Sequence, residues 1–243
     1  ANAYSSFANE GVYRSARTFT KVYDSDGNLL IDNTQESERI LSERAVNYMN
    51  YCLVQAMQVG TGIEANLSNS YGITTAGKTG TTESNYDRWI CGYTGYYTAA
   101  VWAGFDYPDT ISTISGQSPA NQLFKKVMGP LHKGKSNKAL YSTKNMAQIE
   151  VCLESGKLAT DACKADVRTV AGDLSRIYKV WVYQDDVPKE SCDQHVMISY
   201  CSGGGVANEY CANFAAVDRG PITIFNGLGV IFTGLYFFYS GYG

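Results

Sequence analysis

The sequence has no surplus of positive charge. Twenty Lys and Arg residues stand against 23 Asp and Glu, a formal net charge of -3 at pH 7. That balance gives no basic footprint and argues against nucleic acid as a partner. There is also no initiator methionine, no signal peptide and no apolar anchor at the N-terminus. Ala3, Tyr4, Phe7 and Ala8 already fall on helical spacing, and Gly11 is suited to end that helix. The chain is therefore expected to start inside a folded element, as a piece of a longer protein. Charge is missing again from Gly220 to Gly243, where Ile222, Ile224, Phe225, Leu228, Val230, Ile231, Phe232, Leu235, Phe237 and Phe238 make the tail strongly apolar. Its length would span a bilayer. Its glycines and the lack of a second basic flank oppose that reading, so a membrane segment and a disordered or misassembled terminus both stay open.

What is present is globular in character. Hydrophobic content of 44% with 18% charged residues over 243 positions fits one large domain or a domain with an appendage. The 19 tyrosines suit hydrogen-bonding surfaces or an aromatic core. Of the seven cysteines, Cys52 and Cys91 lie in apolar segments and read as buried thiols. Cys152, Cys163, Cys192, Cys201 and Cys211 crowd a loop-rich C-terminal third, which favours disulfides and an oxidising compartment. Cys152 with Cys163 closes a short loop and is the first expected pair. Cys192-x-x-His195 with Cys201 and Cys211 is a weaker zinc alternative. Its spacings match no established finger, and His195 precedes what reads as a strand, so no metal is expected.

Along the chain, Thr18–Tyr23 and Leu29–Ile31 flank Asp24-Ser25-Asp26-Gly27-Asn28, a hairpin signal. Ser42 is placed to cap a helix running to about Val59, with Val46, Met49, Leu53 and Met57 as its apolar stripe. Gly72 to Thr82 reads as a strand rich in β-branched residues, carrying a single lysine, Lys78, between Gly77 and Gly80. Two glycines so close suggest that something needs the backbone bare, as a ligand lying along a strand edge would. The plainer reading is an edge strand blunted by its lysine. Trp89–Thr94 and Thr98–Phe105 form a second hairpin in which Trp89 and Trp102 are expected in the core and Asp87 and Arg88 at the surface. Ser118-Pro119 opens a helix bearing Leu123, Phe124, Val127, Met128 and Leu131, and His132 is expected at its solvated end. Ile177–Tyr183 reads as a strand. Strands joined by short turns pair antiparallel and helices cover the sheet, so the fold class is α+β. The organisation expected is a main domain over 1–135, a polar linker over 136–150, a cysteine-containing extension over 151–219 and the apolar tail over 220–243.

Ala76-Gly77-Lys78-Thr79-Gly80-Thr81-Thr82, preceded by Gly60-Thr61-Gly62 and followed by Asp87-Arg88-Trp89-Ile90-Cys91-Gly92-Tyr93-Thr94 and Val101-Trp102-Ala103-Gly104-Phe105-Asp106, resembles the transpeptidase domain of the class A penicillin-binding proteins. Ala3 to Gly11 is similar to the family's segment just after its second active-site motif. Val151 to Thr160 and Ser191 to His195 resemble the family's C-terminal extensions. The resemblance implies a penicillin-binding protein/β-lactamase-like fold, incomplete here. The family uses a serine in Ser-x-x-Lys, a Ser-x-Asn motif and the Lys-Thr-Gly strand. No serine in this chain has lysine three residues on, and none has asparagine two residues on. Both motifs are therefore expected upstream of Ala1.

The resemblance also implies roles. Lys78 would attract the terminal carboxylate of a D-Ala-D-Ala stem peptide or the equivalent carboxylate of a β-lactam. Thr79 and Thr81 would hydrogen-bond it, the Thr81 N–H would supply half an oxyanion hole, and Gly80 and Thr82 would complete the substrate strand. The whole protein would be a bifunctional glycosyltransferase and DD-transpeptidase, anchored by a missing N-terminal segment on the extracytoplasmic face of the cell membrane, with cell-wall synthesis partners and no cofactor. This chain alone, lacking the nucleophile, is expected to be inactive. A non-catalytic module binding peptidoglycan or a protein, and a D-Ala-D-Ala carboxypeptidase or β-lactamase relative, are the alternatives.

Overall fold

A computed structural model describes residues 1–113, 117–166, 176–198 and 222–225. It divides the chain into two units, Ala1–Ser142 and Thr143–Gly243.

The first unit opens on α1 (Asn2–Ala8). β1 (Val12–Arg14), β2 (Lys21–Tyr23), β3 (Leu29–Asp32) and β4 (Ser37–Arg39) follow as two nested antiparallel pairs, β1 with β4 and β2 with β3. The predicted 24–28 turn closes because Asp24 Oδ1 accepts from the N–H groups of Asp26 at 3.0 Å and Asn28 at 2.8 Å. Ser42 accepts from the Ala45 N–H at 3.2 Å and starts α2 (Glu43–Gln58), as its sequence position predicted.

The buried face of α2 is Val46, Asn50, Leu53, Val54 and Met57. Met49, expected in that stripe, is instead exposed, and Asn50 takes the inward place. A buried amide is tolerated only if bonded. The Asn50 amide donates to the carbonyls of Phe7 at 3.1 Å and Leu140 at 2.7 Å, and its oxygen accepts from the Tyr93 hydroxyl at 2.5 Å.

After the short α3 (Ser68–Tyr71) come β5 (Ala76–Thr81), β6 (Asp87–Tyr93), β7 (Thr98–Gly104) and α4 (Pro119–Leu131). The three strands form one antiparallel sheet in the order β5-β6-β7. One face is sealed: Ile90 packs with Met57, Leu67, Ile73, Phe124 and Met128 in a common core, joined by Val101. The outer side of α4 stays open, with Leu123, Val127 and Leu131 exposed.

His132 departs from its expected solvated position and is buried at the end of α4. Its Nδ1–H donates to the Met128 carbonyl at 2.7 Å, which leaves Nε2 to accept from the Thr94 hydroxyl at 2.8 Å. Thr94 Oγ1 also accepts from the N–H groups of Tyr96 and Tyr97, so the imidazole pins the β6–β7 turn to the helix. Trp89 and Trp102 also depart from expectation. They are 42% and 44% exposed, a directly opposed cross-strand pair with ring centroids 6.3 Å apart. The reason is the strand period of two: both point to the face opposite Ile90 and α4. Cys52 is exposed and Cys91 half-buried, where buried thiols were expected.

In the second unit β8 (Met146–Cys152) reaches into the stretch expected as linker. α5 (Asp161–Lys164) is a single helical turn, and β9 (Ile177–Tyr183) has the bounds that the sequence predicted. β8 and β9 pair antiparallel from Met146↔Tyr183 to Cys152↔Ile177. β10 (His195–Ile198) pairs antiparallel with β11 (Ile222–Phe225). Apart from β11, the apolar tail lies outside the described residues, as do Cys201 and Cys211. Among the described residues no helix is long and apolar enough to cross a membrane. The architecture is α+β with antiparallel sheets.

Candidate active site

β5 is an edge strand: β6 covers one side, and no described strand pairs with the other. Such an edge presents alternate N–H and C=O groups outward. Lys78 and Gly80 lie on the face shared with Cys91, Trp89 and Trp102, while Thr79 and Thr81 lie on the face of Ile90 and Val101. The Lys78 ammonium is exposed and donates to the Thr79 carbonyl at 3.1 Å.

The hydroxyls are held by neighbours. Thr79 Oγ1 meets Thr61 Oγ1 at 2.5 Å. Thr61 lies in the turn after α2, and its carbonyl accepts from Asn121 Nδ2 of α4 at 3.3 Å. Glu64 reinforces that turn by accepting from the Ser118 N–H at 2.9 Å and from Asn121 Nδ2 at 3.2 Å. Thr81 Oγ1 accepts from Arg88 Nη1 at 3.3 Å. Thr82 Oγ1 accepts from the Asp87 N–H at 2.8 Å, and Asp87 Oδ1 accepts from the Trp102 indole at 2.8 Å.

Thr61 and Arg88 thus belong to the site, though sequence reasoning gave neither a role there. The signal for Thr61 was its place in Gly60-Thr61-Gly62. For Arg88 it was the antiparallel register that sets it opposite Thr81.

The two glycines do different things. A Cβ on Gly77 would come within 2.8 Å of the Cys91 carbonyl oxygen and 2.9 Å of Gly92 Cα, so its bareness serves strand pairing rather than ligand access. A Cβ on Gly80 would stand 3.2 Å from Trp89 Cβ, on the open face. The arrangement offers an exposed cation, oriented hydroxyls and an unpaired strand margin. That combination suits an extended peptide with an anionic end.

In the second unit the expected Cys152–Cys163 disulfide is not formed. Cys152, Cys163 and Cys192 are free thiols, all buried, gathered around the buried His195. Imidazole Nδ1 lies 3.4 Å from Cys152 Sγ, 3.6 Å from Cys163 Sγ and 3.4 Å from Cys192 Sγ. Nε2 lies 3.2 Å from Asp166 Oδ2. Burial pushes the Cys192 thiol up, but hydrogen bonds from Ser155 and from the backbone N–H groups of Gln194 and His195 draw it below its ordinary value.

Comparison with known proteins agrees with this geometry. Residues 1–129 match the family model for the penicillin binding protein transpeptidase domain, and residues 142–197 match that for the C-terminal domain of penicillin-binding protein 1A. Penicillin-binding protein 1A of Clostridium perfringens is 35% identical over 196 residues, covering 80% of this chain and 22% of the relative. Its Clostridium botulinum counterpart is 32% identical over 222 residues, covering 90% and 26%. The chain therefore spans about a quarter of the length of these relatives. The crystal structure of penicillin-binding protein 1A from Haemophilus influenzae shares the fold, with a TM-score of 0.59 at 16% identity over 79% of this chain and 32% of that one. With the family model covering more than half of its residues and Lys-Thr-Gly standing on a free sheet edge, this chain belongs to the penicillin-binding protein transpeptidase family.

Proposed function

We propose that this chain forms one wall of a serine DD-transpeptidase site in a class A penicillin-binding protein that cross-links peptidoglycan. The observation that carries the reading is the exposed Lys78 ammonium on the unpaired margin of β5, beside Thr79 and Thr81. A stem peptide ending in D-Ala-D-Ala lies along that margin as an added strand. Its carboxylate displaces the Thr79 carbonyl from Lys78 and takes hydrogen bonds from the Thr79 and Thr81 hydroxyls. Thr82, tied to Asp87, fixes the end of the strand, and Gly80 leaves room for the peptide backbone.

The nucleophilic serine comes from chain preceding Ala1. Its oxygen attacks the penultimate D-Ala carbonyl, and the Thr81 N–H stabilises the oxyanion. The C–N bond breaks, the departing D-Ala amine takes up a proton, and a serine ester remains. A neighbouring stem's amine then attacks the ester, forming the new amide and returning the proton to serine. A β-lactam follows the first half of this course and stalls at the ester. The complete protein joins this domain to a glycosyltransferase and an N-terminal anchor on the extracytoplasmic face of the cell membrane. The isolated chain forms no covalent adduct with penicillin.

The test is Lys78→Ala in the full-length protein. Losing charge-assisted bonds of about 3 kcal/mol slows acylation by a fluorescent penicillin about 10²-fold. Glycan polymerisation continues. Near wild-type penicillin labelling would overturn the role given to Lys78.

A further inference from the structure

We propose that Cys152, Cys163, Cys192 and His195 form a structural zinc site that holds the second unit together. Their ligand atoms all lie within 4.8 Å of one another, and every one of the four residues is buried. The spacing is that of a tetrahedral shell. With Zn–S of about 2.3 Å and Zn–N of about 2.0 Å, ligand nitrogen and sulfur sit about 3.5 Å apart. The three Nδ1–Sγ separations are 3.4, 3.6 and 3.4 Å. A disulfide would draw two sulfurs to about 2.05 Å and leave the third thiol and the imidazole without a purpose.

The surroundings are also those of a metal ligand set. His195 presents Nδ1 to the sulfurs, while its Nε2–H donates to Asp166 Oδ2 at 3.2 Å. That carboxylate fixes the tautomer with the lone pair facing inward. Backbone N–H groups donate to the sulfurs: Thr160 to Cys163 and Gln194 to Cys192, each at 3.4 Å. Such bonds stabilise thiolates.

Each ligand comes from a different part of the unit. Cys152 ends β8, Cys163 lies on α5, Cys192 follows the bridge between Leu158 and Ser191, and His195 begins β10. Among the described residues the buried apolar surface around them is small, with Ala159 and Ile177 packed against the three cysteines. With so little apolar packing among the described residues around the four side chains, a bound ion supplies cross-links there that this packing does not. Binding expels the thiol protons to solvent and leaves three thiolates and a neutral imidazole around one divalent cation. All four coordination positions are filled, so the site is structural and takes no part in acyl transfer.

The test is metal content of the full chain, purified under reducing conditions from zinc-replete medium. One zinc per chain is expected. Exchange for Co2+ should give the strong visible bands of tetrahedral thiolate ligation, a readout independent of penicillin binding. Cys163→Ser and His195→Ala lose the metal, whereas Cys201→Ser and Cys211→Ser retain it. Asp166→Asn weakens zinc affinity roughly 10- to 100-fold. A metal-free wild-type chain, a disulfide joining any two of Cys152, Cys163 and Cys192, or retention of full zinc affinity in His195→Ala would each overturn the proposal.

Discussion

Replacing Asn50 by alanine should destabilise the first unit far more than its position on a helix stripe suggests. The amide joins three separate pieces of chain, through Phe7 after α1, Leu140 beyond α4 and Tyr93 on β6. Three lost bonds at about 1 kcal/mol each give about 3 kcal/mol, and stranding the fully buried Tyr93 hydroxyl adds about 1–2 kcal/mol more. The total, about 4–5 kcal/mol, is a change of roughly 10³-fold or a few times more in the folded-to-unfolded ratio. Tyr93→Phe alone removes one bond and leaves the Asn50 oxygen without its donor, at about 1–2 kcal/mol. Because the two residues share a bond, the double variant should be about 1 kcal/mol less destabilised than the sum. Urea unfolding followed by tryptophan fluorescence measures all three. A loss under 1 kcal/mol for Asn50→Ala, or strict additivity in the cycle, would refute the claim that this amide ties the unit together.

Gly77→Ala forces a methyl group to within 2.8 Å of the Cys91 carbonyl oxygen, so it should cost about 1–3 kcal/mol in the same unfolding assay and displace β5 from β6. Burial, with a smaller contribution from Tyr4, raises the Tyr93 phenol well above its ordinary value. The folded state therefore favours the protonated phenol. Its stabilising contribution is complete below the unfolded value of 10.0 and is lost as pH rises beyond it. Unfolding free energy measured above pH 10 should fall more steeply in the wild-type chain than in Tyr93→Phe, and parallel slopes would count against this.

Much of the first unit was readable because its signals are local. The hairpin at Asp24–Asn28, the start of α2 at Ser42 and the β6–β7 pair each follow from a cap, a turn or an alternation within a few residues. What escaped depends on faces and on distance. Periodicity marks Trp89 and Trp102 as inward on one side of a strand, but it does not say which side α4 covers. His132 reads as a helix end until Thr94, 38 residues away, is seen to meet it. Met49 and Asn50 differ by one position on α2, and only the partners at Phe7, Leu140 and Tyr93 make the polar one the inward one. The cysteines mislead for the same reason. Short loops favour neighbours in sequence as disulfide partners, whereas Cys152, Cys163, Cys192 and His195 meet only after β8, α5 and β10 have come together. The Lys-Thr-Gly strand was plain in the sequence, but its supports were not, since Thr61 and Arg88 reach Thr79 and Thr81 through the fold.

A bare row of peptide groups invites any passing strand, whichever molecule it belongs to. On β5 the ammonium of Lys78 makes that invitation selective: a guest bringing a negative end is rewarded, and a neutral one must desolvate or push aside a cation. In the role proposed for it, one side chain thus serves as both lure and gatekeeper, so a protein that gave up Lys78 would also lose a safeguard against sticking to copies of itself.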